Sequence, residues 1–114
     1  MIIQLNSDKN LVLHEEYRDK LNEQLSSELD RFSEYITRLE VHLSDENGAK
    51  FGMKDKRCLL EARQEGKQPV AVTEIAETYD MAITRAIDKL KALLSTIQGR
   101  LFTKKYYGGG ELLL

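Results

Sequence analysis

Between Tyr79 and Arg100 the chain reads YDMAITRAIDKLKALLSTIQGR, with apolar side chains at Tyr79, Ala82, Ile83, Ala86, Ile87, Leu90, Leu93, Leu94 and Ile97. This spacing, held over about five turns, predicts an amphipathic helix whose apolar stripe is wide enough to face a core. Arg85, Lys89 and Lys91 lie off the stripe. Such a helix draws most of its stability from burying that stripe against another element. The segments upstream must therefore build an apolar surface for it to cover.

Taken in order, those segments alternate in period. Ile2, Ile3 and Leu5 form a short strand that runs into Asn6-Ser7-Asp8, residues suited to a turn or a helix cap. From Leu13 to Phe32 the period becomes helical, with Tyr17, Leu21, Leu25, Leu29 and Phe32 on one side and Glu15, Arg18, Asp19, Glu23 and Asp30 on the other. From Ile36 the period falls to two: Leu39, Val41 and Leu43 alternate with Arg38, Glu40 and His42, as in a half-buried strand. SDENGAKFGMKDK reads as a long loop. KRCLLEAR is a second alternating strand, with Cys58, Leu60 and Ala62 on one face and Arg57, Leu59, Glu61 and Arg63 on the other. QEGKQP is a hairpin turn in which Gly66 takes a positive φ, and PVAVTEIA, opened by Pro69, is the next strand. Thr78 is placed to cap the long helix and Asp80 to meet its N-terminal dipole.

The resulting order is β-α-β-β-β-α. Two one-faced helices and four strands with a single apolar face pack best as an α+β layer pair, both helices lying on one face of a four-stranded mixed sheet. A right-handed crossover through the first helix makes the first two strands parallel, and the rest form an antiparallel meander. The opposite face of the sheet is left open, displaying Arg38, Glu40, His42, Arg57, Glu61 and Arg63. Residues 1–101 make one domain. The long helix is expected to end near Gly99 or shortly after, leaving 102–114 as a flexible tail hinged at Gly108, Gly109 and Gly110.

Several classes of function find no support in these residues. No run approaches the roughly 18–20 apolar residues needed to span a bilayer, and MIIQLNSDKN has no signal-peptide pattern. With the lone Cys58, this points to a cytoplasmic protein without membrane contact. His14 and His42 have no neighbours at metal-ligand spacing, and G-A-K-F-G is not a phosphate loop. His42 beside Glu40 and Glu61 is the best acid–base grouping, and it sits on an open sheet face. The expectation is a protein that is not an enzyme and has neither cofactor nor small-molecule substrate.

Charge is more informative. Residues 1–49 carry five Lys/Arg and eleven Asp/Glu, net −6, whereas residues 50–114 carry twelve and eight, net +4. Lys54, Lys56, Arg57, Arg63 and Lys67 cluster on the loop and central hairpin; Arg85, Lys89 and Lys91 follow on the long helix, and Arg100, Lys104 and Lys105 at its end. If hairpin edge and helix lie together, they make one positive track for a phosphate backbone. Aromatic residues are too few for base-stacking platforms, so recognition of folded RNA by shape and phosphate fits better.

The pattern VHLSDENGAKFGMKDKRCLLEAR, then a glycine hairpin, then DMAITRAIDKLKALL, resembles the short ribosome-hibernation factors, the hibernation-promoting and ribosome-associated inhibitor proteins. The likeness spans about residues 1–101, and A-I-x-x-A-I-D-K-L from Ala82 to Leu90 is its most specific piece. It implies a non-catalytic factor that lodges in the small ribosomal subunit, occupies the mRNA and tRNA sites and silences translation in stress or stationary phase. It also implies that basic residues at the positions of Arg85, Lys89 and Lys91 hold ribosomal RNA. Lys54, Lys56, Arg57, Arg63, Arg100 and Lys104 are added to that set from charge and topology. Family members carry a denser basic run after the D-K-L segment, where this chain has Ala92, Leu93, Leu94, Ser95 and Thr96. A monomer is expected. The alternative is a protein-interaction or transcription-modulating module that uses the open sheet face.

Overall fold

The structure is a computed structural model that describes the backbone of residues 1–8, 11–45 and 56–106, with side chains as far as Ile97. The elements are β1 (Ile2–Ser7), α1 (Glu15–Glu28), a 3-10 turn (Asp30–Phe32), β2 (Arg38–Asp45), β3 (Lys56–Arg63), β4 (Val70–Ala76) and α2 (Tyr79–Tyr106). They build the expected β-α-β-β-β-α fold. The sheet has four strands in the order β1-β2-β3-β4. β1 runs parallel to β2, and β3 and β4 continue antiparallel.

Strand alternation decides which side carries the helices. Leu39, Val41, Leu43, Cys58, Leu60, Ala62, Val72 and Ala76 are buried on one face. Leu21 and Leu25 of α1, and Ala82, Ile83, Ala86, Ile87, Leu90 and Leu94 of α2, close over them. α2 packs on β3 and β4. Ala82 and Ala86 are fully buried, and their small side chains let the helix backbone sit close to the sheet. The pairs Glu40–Glu61 and His42–Leu59 register on the other, open face, with Arg38 and Arg63 opposite one another at its end.

Local signals hold at the joints. Ser7 Oγ donates to the Leu11 carbonyl at 2.9 Å and the Leu11 amide to the Asp8 carbonyl at 3.0 Å, closing the turn after β1. Gly66 has φ of 71°, the left-handed conformation that its hairpin requires. Thr78 Oγ1 accepts the Met81 amide at 3.1 Å and so caps α2.

Three features depart from the sequence reading. The first helix does not continue to Phe32: Leu29 leaves helical geometry, and the Phe32 amide bonds the Leu29 carbonyl at 2.9 Å in a 3-10 turn. This tighter winding turns Phe32 into the core, where it is 1% exposed. Spacings of three and four residues suit both windings, so the pattern did not separate them. Second, α2 passes through Gly99 and ends at Tyr106, so the first five residues of the expected tail, 102–106, are helical. One glycine costs a helix only about 1 kcal/mol, too little to stop an element of this length. The remainder of the expected tail, and the loop at 46–55 with Lys54, lie outside the described residues. Third, Leu93 is not in the buried stripe. It is 40% exposed beside the β4 edge, where the sheet no longer extends under the helix.

Candidate nucleic-acid interface

The cations of interest are placed by the two helices and the two strands beneath α2. Tyr17 Oη donates to Asp80 Oδ1 at 3.5 Å, and Lys91 Nζ reaches Glu28 Oε1 at 2.9 Å. Both contacts join residues 63 apart in sequence. A constant offset means that α1 and α2 run side by side in the same direction, residue for residue. Arg31 Nη2, hydrogen-bonded to Ser95 Oγ and stacked 4.6 Å over the Phe32 ring, extends the seam past the end of α1. Lys91 therefore belongs to the joint between the helices.

The other flank of α2 faces the β4 edge. Lys89 Nζ lies 3.2 Å from Glu74 Oε2 and donates to the Thr73 carbonyl at 3.4 Å. Its side chain remains 55% exposed. Arg85, one turn earlier, is exposed and has no ion pair or hydrogen bond among the described residues. Side chains four residues apart on a helix are neighbours, so Arg85 and Lys89 present two cations on one ridge of α2.

The β3 cations face elsewhere. Lys56 Nζ pairs with Asp45 Oδ2 at 3.2 Å at the start of the strand. Arg57 and Arg63 alternate onto the open sheet face, away from the helices. Arg63 Nε meets Glu40 Oε2 at 3.2 Å and its Nη2 meets Glu61 Oε1 at 3.2 Å. Arg38 Nη1 and His42 Nε2 also approach Glu40, at 3.8 and 3.5 Å. Glu40, whose side chain is 15% exposed, is the hub of a network that neutralises much of this face. Arg57 and Arg63 thus do not join the α2 cations in one continuous track, because the sheet stands between them. Arg100 and Lys104 lie on the last turns of α2, where only the backbone is described, and Lys54 lies outside the described residues.

The titratable groups of the interior are inert at neutral pH. Burial pushes the Cys58 thiol up to about 12. Burial, with the Asp80 carboxylate beside it, raises the Tyr17 phenol to about 12. Among the described residues no group of His, Cys, Asp and Glu is assembled to hold a metal ion, and no helix is long and apolar enough to cross a membrane.

The sequence reading missed the partners of Lys89 and Lys91. For Lys89 a signal was present: Val72, Glu74 and Ala76 share the helix-facing side of β4, and a carboxylate on that side marks a sheet edge with a cation close by. For Lys91 there was none, because the pairing with Glu28 depends on the helix register.

With this geometry in hand, the comparisons are specific. Residues 6–101 match the family model for sigma 54 modulation protein / S30EA ribosomal protein. The chain belongs to this family. Among solved structures, the N-terminal domain of Thermus thermophilus Protein Y is similar, with 26% identity and a TM-score of 0.66, over 85% of this chain and 99% of that one. A ribosomal subunit interface protein from Coxiella burnetii shares the fold at 14% identity and a TM-score of 0.66, over 87% of this chain and 99% of that one. The search among curated proteins returns no match. The α+β sandwich with two parallel helices on a mixed sheet is thus the fold of this family's relatives, and the resemblance seen in the A-I-x-x-A-I-D-K-L segment falls inside the matched span.

Proposed function

We propose that this protein is a cytoplasmic ribosome-hibernation factor that binds the small ribosomal subunit and occludes the mRNA and tRNA sites under stress or in stationary phase. Family membership supports association with the ribosome. The observation that carries the RNA contact is Arg85, exposed and without a partner among the described residues, with Lys89 one turn along the same ridge of α2. Both stand on a rigid helix anchored by Ile83, Ile87 and Leu90, so their spacing is set before binding. Arg85 is the primary phosphate ligand. Lys89 joins it by leaving Glu74, an exchange of one anion for another at an exposed site where the existing pair is weak. Arg100 and Lys104 extend the ridge along the helix.

Lys56, Arg57 and Arg63 of β3 form a secondary group, to which Lys54 is added from the sequence alone. Arg63 is held by two carboxylates, and its release for RNA would leave Glu40 and Glu61 facing phosphate. The factor works as a monomer and by steric exclusion, with no bond made or broken. The rival protein-interaction reading through the open sheet face has less support, because the charges there pair with one another around Glu40.

The test is co-sedimentation of the double variant Arg85→Glu, Lys89→Glu with small ribosomal subunits. A folded variant that binds at least tenfold more weakly than the parent is the expected result. Unchanged binding by a folded variant would remove this ridge from the interface.

A further inference from the structure

At the end of the molecule where both helices begin lies a cleft of about 400 Å³, lined by Leu11, Val12, Leu13, Tyr17, Leu43 and Tyr79, with His14, Thr78 and Asp80 at its polar side. It is walled by the entry to α1, the end of β2 and the first turn of α2, and it is separate from the Arg85–Lys89 ridge. Its volume lies in the range of ligand-binding clefts. Its lining is largely apolar: Val12, which lines it, is 72% exposed, and outside it Met81, in the same turn as Asp80, is 39% exposed.

The charge around this cleft is opposite in sign to that of the ridge. Glu15 and Glu16 stand in the first turn of α1, Asp80 in the first turn of α2, and Glu77 just before its Thr78 cap; all are exposed. The two helix N-termini contribute about half a positive charge each, too little to offset the carboxylates. Of the described cations nearby, Arg18 Nε donates to the Leu13 carbonyl at 3.3 Å, and Lys56, opposite Ala76 in register, pairs with Asp45 at 3.2 Å. A phosphate backbone would be repelled here. Tyr17 Oη donates to Asp80 Oδ1, so one carboxylate stands beside the tyrosine side chains that line the cleft.

We propose that this cleft is a docking site for a protein segment that pairs a basic side chain with apolar neighbours. The arginine or lysine head meets Asp80 and the acidic rim, its aliphatic stem lies over Tyr17 and Tyr79, and a flanking apolar residue fills the space between Val12 and Leu43. Arginine suits the site better than lysine, because its planar head accommodates both a carboxylate and an aromatic face. The inference goes beyond the ribosomal RNA contact and does not depend on it. The chain would then hold RNA along the flank of α2 and protein at the N-terminal end of the same helix.

The probe is a capped pentapeptide of alternating leucine and arginine, titrated into the isotopically labelled full chain by NMR. The expected result is saturable shifts confined to residues 11–17, Leu43 and 78–81, with affinity falling about fivefold in Asp80→Asn and again in Val12→Ser. An all-leucine-and-glutamate peptide should leave these signals in place. The Asp80→Asn variant keeps the buried core intact, and its unchanged spectrum elsewhere reports folding. Absence of saturable shifts at the cleft, equal affinity for the acidic peptide, or occupation of the cleft by a short single-stranded RNA in place of the basic peptide would each overturn the proposal.

Discussion

Lys91 of α2 holds Glu28 of α1 at 2.9 Å, one carboxylate and one ammonium joining two parallel helices near the end of the shorter one. The Tyr17–Asp80 contact repeats the same offset at the start of the pair. The two helices therefore lie in register as one layer on the sheet. Lys91, which family resemblance assigns to RNA, is paired with a carboxylate within this layer. The pair is partly exposed, with side chains 35% and 45% accessible, and solvent screens much of its attraction.

The consequence for Lys91→Ala is a small loss of stability, below about 1 kcal/mol, measured by urea unfolding. Its effect on small-subunit binding should be well under that of Arg85→Ala. A Lys91→Ala variant that binds as poorly as Arg85→Ala would return Lys91 to the RNA contact.

Core truncation should be far more costly. Leu25 and Leu90 are fully buried, one from each helix, against the same sheet face. Replacing either by alanine is expected to lower unfolding free energy by about 2–5 kcal/mol, through lost burial and the cavity left behind. Denaturant titration reads this directly. A loss below about 1 kcal/mol would mean that the helix layer packs loosely enough to collapse into the gap.

Most of this core was legible in the sequence, and the reason is periodicity. Leu39, Val41 and Leu43 against Arg38, Glu40 and His42 can satisfy only one orientation of β2, and the stripe from Ala82 to Leu90 only one face of α2. Turn chemistry at Gly66 and the cap at Thr78 were legible for the same local reasons. What was not legible depended on register between distant elements. The basic residues were found, but which anion each meets was not: Arg63 with Glu40 and Glu61, Lys89 with Glu74, and Lys91 with Glu28 are all contacts set by tertiary placement. Leu93 continued the stripe in sequence, yet it lies beyond the edge of the sheet, and a pattern carries no information about where its partner ends.

Alkaline pH should unfold this protein earlier than its carboxylates and lysines alone would. Tyr17 rises from 10.0 to about 12 and Cys58 from 9.0 to about 12, each chiefly through burial. A raised folded-state value favours the neutral form, so this stabilisation is complete below the unfolded values. It is lost as pH climbs through the window from 9.0 to about 12. Thermal melts across that window should fall steeply for the parent and less steeply for Cys58→Ala. Parallel curves would show that Cys58 ionises no harder in the folded chain than in the unfolded one. By the same reasoning, a thiol reagent at neutral pH should label Cys58 only at the rate of unfolding.

The proposed function rests on a phosphate-binding ridge presented to the small ribosomal subunit. The most direct measurement is co-sedimentation of the purified chain with isolated small and large subunits at low and high salt. The account predicts binding to the small subunit, lost steeply as salt rises because each phosphate contact releases counterions, and competed by mRNA with initiator tRNA. Absence of binding at low salt, or binding indifferent to salt and to mRNA, would contradict it.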